Sequence, residues 1–180
     1  DLAFCSTPPV DDSALEFQEL FENNVVLMTP PGHPLLRKHP ISLNDIVSSP
    51  LILTGPESLL RQRVDQSLKA AGLTGDVVLA LDDTESIKRY VEIGMGVAVG
   101  SDFAMHPEDH DRIGVVRIDH LFPGSVIGIC TLKGKFAGQA VSNFIQLMSD
   151  QMRGYHPDLW DWEHNDVPEE ALTPVGSNQP

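Results

Sequence analysis

Gly55-Pro56-Glu57-Ser58 is the segment of this chain whose residue types are best suited to holding a small molecule. A glycine permits close backbone approach, and a serine just ahead of a helical run offers a hydroxyl beside free N–H groups. Helix starts of this kind, with the positive end of the peptide dipole, favour anions. The plainer role of Ser58 is to cap that helix, and Glu57 opposes an anion unless it turns to water. Ser101 follows the apolar run Val97 to Val99, and the C-terminal ends of strands line ligand crevices in open α/β sheets. Arg61 and Arg63 have the reach to grip a carboxylate, although arginines one turn into a helix more commonly serve solubility.

Other suggestive pairings have simpler explanations. His106 and His110 stand at the i, i+4 spacing of a helical metal pair, but Pro107 and a polar, turn-like run surround them. Gly94-Met95-Gly96 looks like half of a dinucleotide fingerprint, yet it follows a helix and precedes a strand, the wrong order for phosphate binding. Asp82-Asp83 offers a carboxylate pair for acid–base work, but a capped helix start explains it more simply. Cys5 and Cys130 lie in no CxxC pair and near no histidine at metal spacing, so they read as buried free thiols of a reducing cytoplasm. No nucleophile, base and orienter form a set. The sequence therefore predicts no enzyme, no cofactor and no metal.

These residues sit in an alternating pattern of elements. Short strands are expected at residues 2–5, 17–21, 25–28, 51–53, 77–81, 97–99, 114–118 and 126–130. Ser42, with an acid three residues on, opens a short helix in near capping-box form. A second helix presents Leu60, Val64, Ser67, Leu68 and Ala71 on one face and stops at Gly72. A third begins at Asp83 or Thr84 and turns Ile87, Tyr90 and Val91 inward. The last runs from about Ala137 to Met152, with Val141, Phe144, Ile145, Met148 and Met152 inward. Strand, helix, strand, helix, strand at this spacing predicts an α/β fold with a mainly parallel sheet.

The formal net charge is -14. Six of the acids follow Arg153, and the remaining 20 acidic and 12 basic residues still leave -8. So acidic a surface repels DNA phosphates and anionic membranes. No stretch approaches the roughly 20 apolar residues of a membrane span. Residues 154–180, with Tyr155, Trp160 and Trp162 among acids and prolines, are expected to form an acidic, disordered tail. Asp1-Leu2-Ala3-Phe4 reads as a strand already under way, so the natural start is expected upstream.

The order of these motifs resembles the effector-binding domain of LysR-type bacterial transcriptional regulators. Val26 to Pro30 followed by His33-Pro34-Leu35 is similar to that family's apolar strand and His-Pro-Leu signature. Ile41 to Ile46, Pro50 to Leu53, Ser58, Arg61 and Ala71-Gly72-Leu73 resemble its next elements. Ile87-Lys88-x-Tyr90-Val91-x-x-Gly94-x-Gly96-Val97 is most like its sulfur-assimilation, or CysB-like, branch. Asp1-Leu2-Ala3 resembles a mid-lobe strand. The resemblance covers residues 1 to about 150.

It implies two Rossmann-like lobes of the periplasmic-binding-protein type II kind, with a small effector held between them. Residues 1–28 and 116–153 would be a partial first lobe, and 29–115 a complete second lobe. The first lobe's opening β-α-β stretch and the helix-turn-helix that binds DNA would lie outside this sequence, leaving a fragment with an exposed sheet edge and marginal stability. Thr29 matches a threonine that binds an inorganic anion in the CysB-like branch; an ordinary strand-end threonine is the alternative. Leu59 falls where that branch has a second such threonine, which removes support for sulfate itself. The implied effector residues are thus Thr29, Gly55, Pro56, Glu57, Ser58 and Ser101, and the ligand is a small anionic metabolite. The implied partners are further copies, as a homodimer or homotetramer, and DNA only through the helix-turn-helix, with no membrane, in the cytoplasm. A solute-binding protein of a transporter shares the architecture and is the alternative.

Overall fold

The computed structural model describes residues 2–6, 14–134 and 138–153; the expected tail at 154–180 and the loop from Thr7 lie outside them. The described residues divide into two units, at 24/25 and at 122/123.

In the first unit, β1 (Leu2–Ser6), β8 (Ser125–Leu132) and β2 (Leu15–Asn23) form a three-stranded antiparallel sheet in the order β1-β8-β2. Helix α4 (Gln139–Arg153) packs against β2. It leaves Phe144 and Leu147 exposed. The expectation that Phe144 points inward is therefore corrected: α4 meets the sheet through a narrower stripe than its apolar spacing predicts.

The second unit holds a five-stranded sheet ordered β5-β4-β6-β3-β7. Its strands are β3 (Val25–Thr29), β4 (Leu51–Thr54), β5 (Val77–Leu81), β6 (Val97–Ser101) and β7 (Gly114–Arg117). β4 runs parallel to both β5 and β6, whereas β3 is antiparallel to β6 and β7. Both faces are covered, and alternate side chains feed two separate cores. Val25, Leu27, Leu51, Leu53, Val97 and Val99 pack with α1 (Leu43–Val47) and α2 (Leu59–Ala70). Val26, Met28, Ile52 and Ala98 pack with α3 (Thr84–Glu92). β3 is buried throughout because it lies inside this sheet.

For the same reason the two units meet at 24/25 and 122/123, whereas the lobes were expected to meet at 28/29 and 115/116. The apolar residues 25–28 complete the second sheet, and Ile118 and Phe122 lie in its core.

Local chemistry sets the helix starts. Ser42 Oγ accepts from Asp45 N–H while Asp45 Oδ2 accepts from Ser42 N–H at 2.9 Å, closing a capping box. The hydrogen bond from Lys38, with those from Ser42, holds the Asp45 carboxyl at about 2. Lys88 was not expected inside: it lies on α3 with its side chain fully buried, between Glu85 and Asp109. Among the described residues no helix is long and apolar enough to cross a membrane.

Candidate functional site

The parallel strands β5, β4 and β6 end on one edge of the five-stranded sheet, and a helical turn begins after each. After β4 the chain turns through Gly55, and Ser58 N–H donates to Gly55 O at 3.0 Å. Ser58 then caps α2, its Oγ accepting from Arg61 N–H at 3.4 Å and from the Thr54 hydroxyl at 2.9 Å. Arg61 reaches back, donating through Nη1 to Thr54 O at 3.2 Å while its Nε pairs with Asp65 at 2.9 Å. Strand end, turn and helix start are thus tied into one piece. Pro56 and Glu57 are exposed.

Carboxylates share this edge too, among them Asp82, Asp83 and the buried Asp102. A Cβ on Gly55 would overlap Asp82 Oδ1, so the residue just past β5 stands directly over the Gly55 backbone. Asp83 caps α3, its Oδ2 accepting from Ser86 N–H at 2.8 Å. Hydrogen bonds from Ser86, side chain and backbone, outweigh the effect of burial and hold the Asp83 carboxyl below its ordinary value. The start of α3 thus carries its own acids, Asp83 and Glu85, whereas the first turn of α2 contains none. Of the two longer helix starts on this edge, only α2 keeps its positive end uncompensated by an acid of its own first turn.

Ser101 closes β6 on the same edge, since β4 and β6 run parallel in the register Leu51 with Val97 and Ile52 with Ala98. Its hydroxyl accepts from Phe103 N–H at 3.2 Å, capping the short 3-10 turn Asp102–Ala104. The structure therefore brings Gly55, Pro56, Glu57, Ser58 and Ser101 to one edge.

Thr29 is not among them. β3 is antiparallel to β6, pairing Val25 with Ser101 and Met28 with Ala98. Thr29 therefore lies about 13 Å along the strand from that edge, at four residues of ~3.3 Å each. It is fully buried, with its hydroxyl 3.1 Å from Pro30 O and 3.4 Å from Gly114 O. This corrects the expectation that Thr29 shares an anion site with Ser58: strand direction carries it to the opposite end. His106 donates its backbone N–H to Asp109 at 2.9 Å, and no group of three metal-ligating side chains occurs among the described residues.

Two residues at this edge were missing from the expected set. Thr54 supports Ser58, and Asp82 covers Gly55. A polar residue at each parallel strand's C-terminal end is the sequence signal that would have found both.

Comparison with known proteins gives a consistent picture. The model of the LysR substrate binding domain matches residues 1–153. The HTH-type transcriptional regulator CysB of Burkholderia cenocepacia is 30% identical over 149 residues, which is 83% of this chain and 48% of that protein. The chain thus spans about half the length of this relative. The cofactor-binding domain of the Cbl transcriptional regulator superposes with a TM-score of 0.70 at 23% identity, covering 93% of this chain and 72% of that one. The regulatory domain of Synechocystis PCC6803 CcmR, in complex with 2-PG, gives 0.71 at 22% identity, covering 86% and 74%. The likeness to these two structures is one of fold.

Proposed function

The chain belongs to the LysR substrate binding domain family, and from that premise we propose that it senses a small anionic metabolite at the α2 start and adjoining strand ends. It acts as the effector-sensing part of a cytoplasmic transcriptional regulator whose other part binds DNA. The observation that carries the ligand's charge is the α2 start. Its N–H groups and dipole face the strand-end edge, the first turn holds no acid, and Ser58 is fixed by Thr54 and Arg61. Asp82 beside Gly55 adds an acceptor, which suits an anion that also carries a hydroxyl or amine. The 2-PG held by the related CcmR domain supports a ligand of this size and charge. With relatives that are transcriptional regulators, the transporter reading is not favoured. Such an effector works only by binding one arrangement of the regulator more tightly than another.

A thermal-shift screen of small carboxylates and phosphates tests this, followed by titration of the best ligand. Ser58→Ala is expected to weaken binding about 10- to 100-fold, the loss of a hydrogen bond to a charged group being worth ~1.5–3 kcal/mol. Ser58→Thr, which keeps hydroxyl and cap, restores most of it. Thr29→Val leaves the affinity unchanged, because Thr29 lies at the opposite end. Equal affinity in Ser58→Ala and the unaltered chain would remove the site from the α2 start.

The second unit also carries the feature on which a homodimer reading rests. Among the described residues β5 is the last strand of the sheet on its side, and Val77 and Val78 are exposed there. Unprotected apolar edge strands pair with other chains, and a two-fold axis lets the same edge meet itself. Val78→Asp is expected to shift the chain from dimer to monomer in sedimentation velocity while its circular dichroism stays the same. A dimer unaffected by Val78→Asp places the contact elsewhere.

A further inference from the structure

We propose that Cys5 and Cys130 form a two-sulfur site that captures a thiophilic trivalent centre, of which arsenic(III) is the representative. In the β1–β8 pair, Cys5 stands opposite Gly128 and Ala3 opposite Cys130. Residues two apart share a face of the sheet, so the two thiols lie on the same face as diagonal neighbours. Cys130 is buried on the central strand, with Phe17 of β2 opposite it on the other side. Cys5 is half-buried on the edge strand and is the open half of the pair.

The same geometry narrows the chemistry. Diagonal neighbours sit about 7–8 Å apart at Cα, beyond the roughly 4.4–6.8 Å of ordinary disulfides. Burial, with the neighbouring Cys130 thiol, pushes the Cys5 thiol above its usual value, which leaves little thiolate to attack an oxidant near neutral pH. Among the described residues no third His, Cys, Asp or Glu joins them, so zinc lacks its four ligands. A soft centre that takes two neutral thiols fits these constraints. A monosubstituted arsenic(III) oxide does so without any redox change. Two As–S bonds form, the As=O bond is lost, and both thiol protons leave with that oxygen as one water. The first bond forms at the accessible Cys5, and Cys130 then closes the ring, stapling β1 to β8.

The test is intact-mass analysis of the full chain after native incubation with phenylarsine oxide. The expected result is one arsenical per chain, heavier by the reagent less one water, kept in excess monothiol and removed by a small dithiol. Cys5→Ser and Cys130→Ser should each weaken capture about 100-fold or more, as for loss of one arm of a bivalent contact. Serine is close in size, and an unchanged melting curve shows that each variant is folded. In strong urea, where only the fold's register would bring the two thiols together, the adduct should be lost. Absence of an adduct on the folded chain, retention by either folded serine variant, or equal capture in urea would each overturn the proposal.

Discussion

Asp109→Ala is expected to lower the unfolding free energy by about 3–5 kcal/mol, the cost of removing one partner from a buried ion pair. Lys88 Nζ lies 2.7 Å from Asp109 Oδ2, and both side chains are inside. Asp109 also accepts from His106 N–H at 2.9 Å and faces Arg112 at 3.4 Å, so it pins the Pro107–Asp109 turn onto α3. Without it the buried ammonium keeps only Glu85, whose side chain is 60% exposed. The double variant Lys88→Met, Asp109→Ala should recover part of the loss, since a buried pair replaced by apolar groups is often close to neutral. Urea unfolding of Asp109→Ala, Lys88→Met and the double variant measures this, and a double variant as unstable as the sum of the two singles would count against the coupling.

The pair also sets an acid limit. Burial alone would raise the Asp109 carboxyl, but hydrogen bonds from Lys88 and His106, with the charges of Lys88 and Arg112, hold it below its ordinary value of 3.8. A carboxyl lowered in the fold contributes stability above its unfolded value and loses it as pH falls through the folded one. The gap between the unaltered chain and Asp109→Ala should therefore be full at neutral pH and narrow only below about pH 4. A gap that closes between pH 7 and 5 would assign the effect to another group.

Gly96→Ala is the second large effect, expected to cost about 3 kcal/mol, near the upper end for overpacking a close contact. A Cβ at this position would overlap the Pro50 carbonyl oxygen. That oxygen cannot move aside, because it accepts from Val97 N–H at 2.9 Å at the point where β6 joins β4. Gly94→Ala should cost less, about 1–2 kcal/mol. Gly94 has open space around it but a φ of 81°, and it ends α3 by donating to Val91 O at 2.9 Å. Thermal melts of the two variants separate crowding from backbone conformation: Gly94→Asn should recover some stability, and no polar residue should rescue position 96. Equal losses at the two positions would refute the distinction. The Gly-x-Gly motif, which looks like part of a nucleotide fingerprint, thus has a backbone reason at each glycine.

Much of the second unit was legible before its structure. The continuous apolar run of Val25 to Met28, the capping residues Ser42, Ser58 and Asp83, and the stops at Gly72 and Gly94 are local signals. They act within a few residues, where propensity and hydrogen bonding operate. Five of the six expected site residues reach one edge because a strand's C-terminal end is also a local property. Phe144 on α4 shows the limit of the same method: periodicity marks the apolar stripe, but how wide a partner covers it is settled by packing.

What the sequence by itself determined is the α/β class, the places where helices start and stop, and the family to which the pattern belongs. What only the tertiary structure decided is direction and long-range partnership. β3 has the same apolar run whichever way it is laid in the sheet, and only its antiparallel pairing with β6 sends Thr29 to the end opposite Ser58. Lys88 carries no mark of burial in a helix otherwise patterned for water on that side. It is inside because Asp109, 21 residues on, folds back to meet it. Contacts of this kind are set by which surfaces close on one another to exclude water, and a one-dimensional period contains no such information.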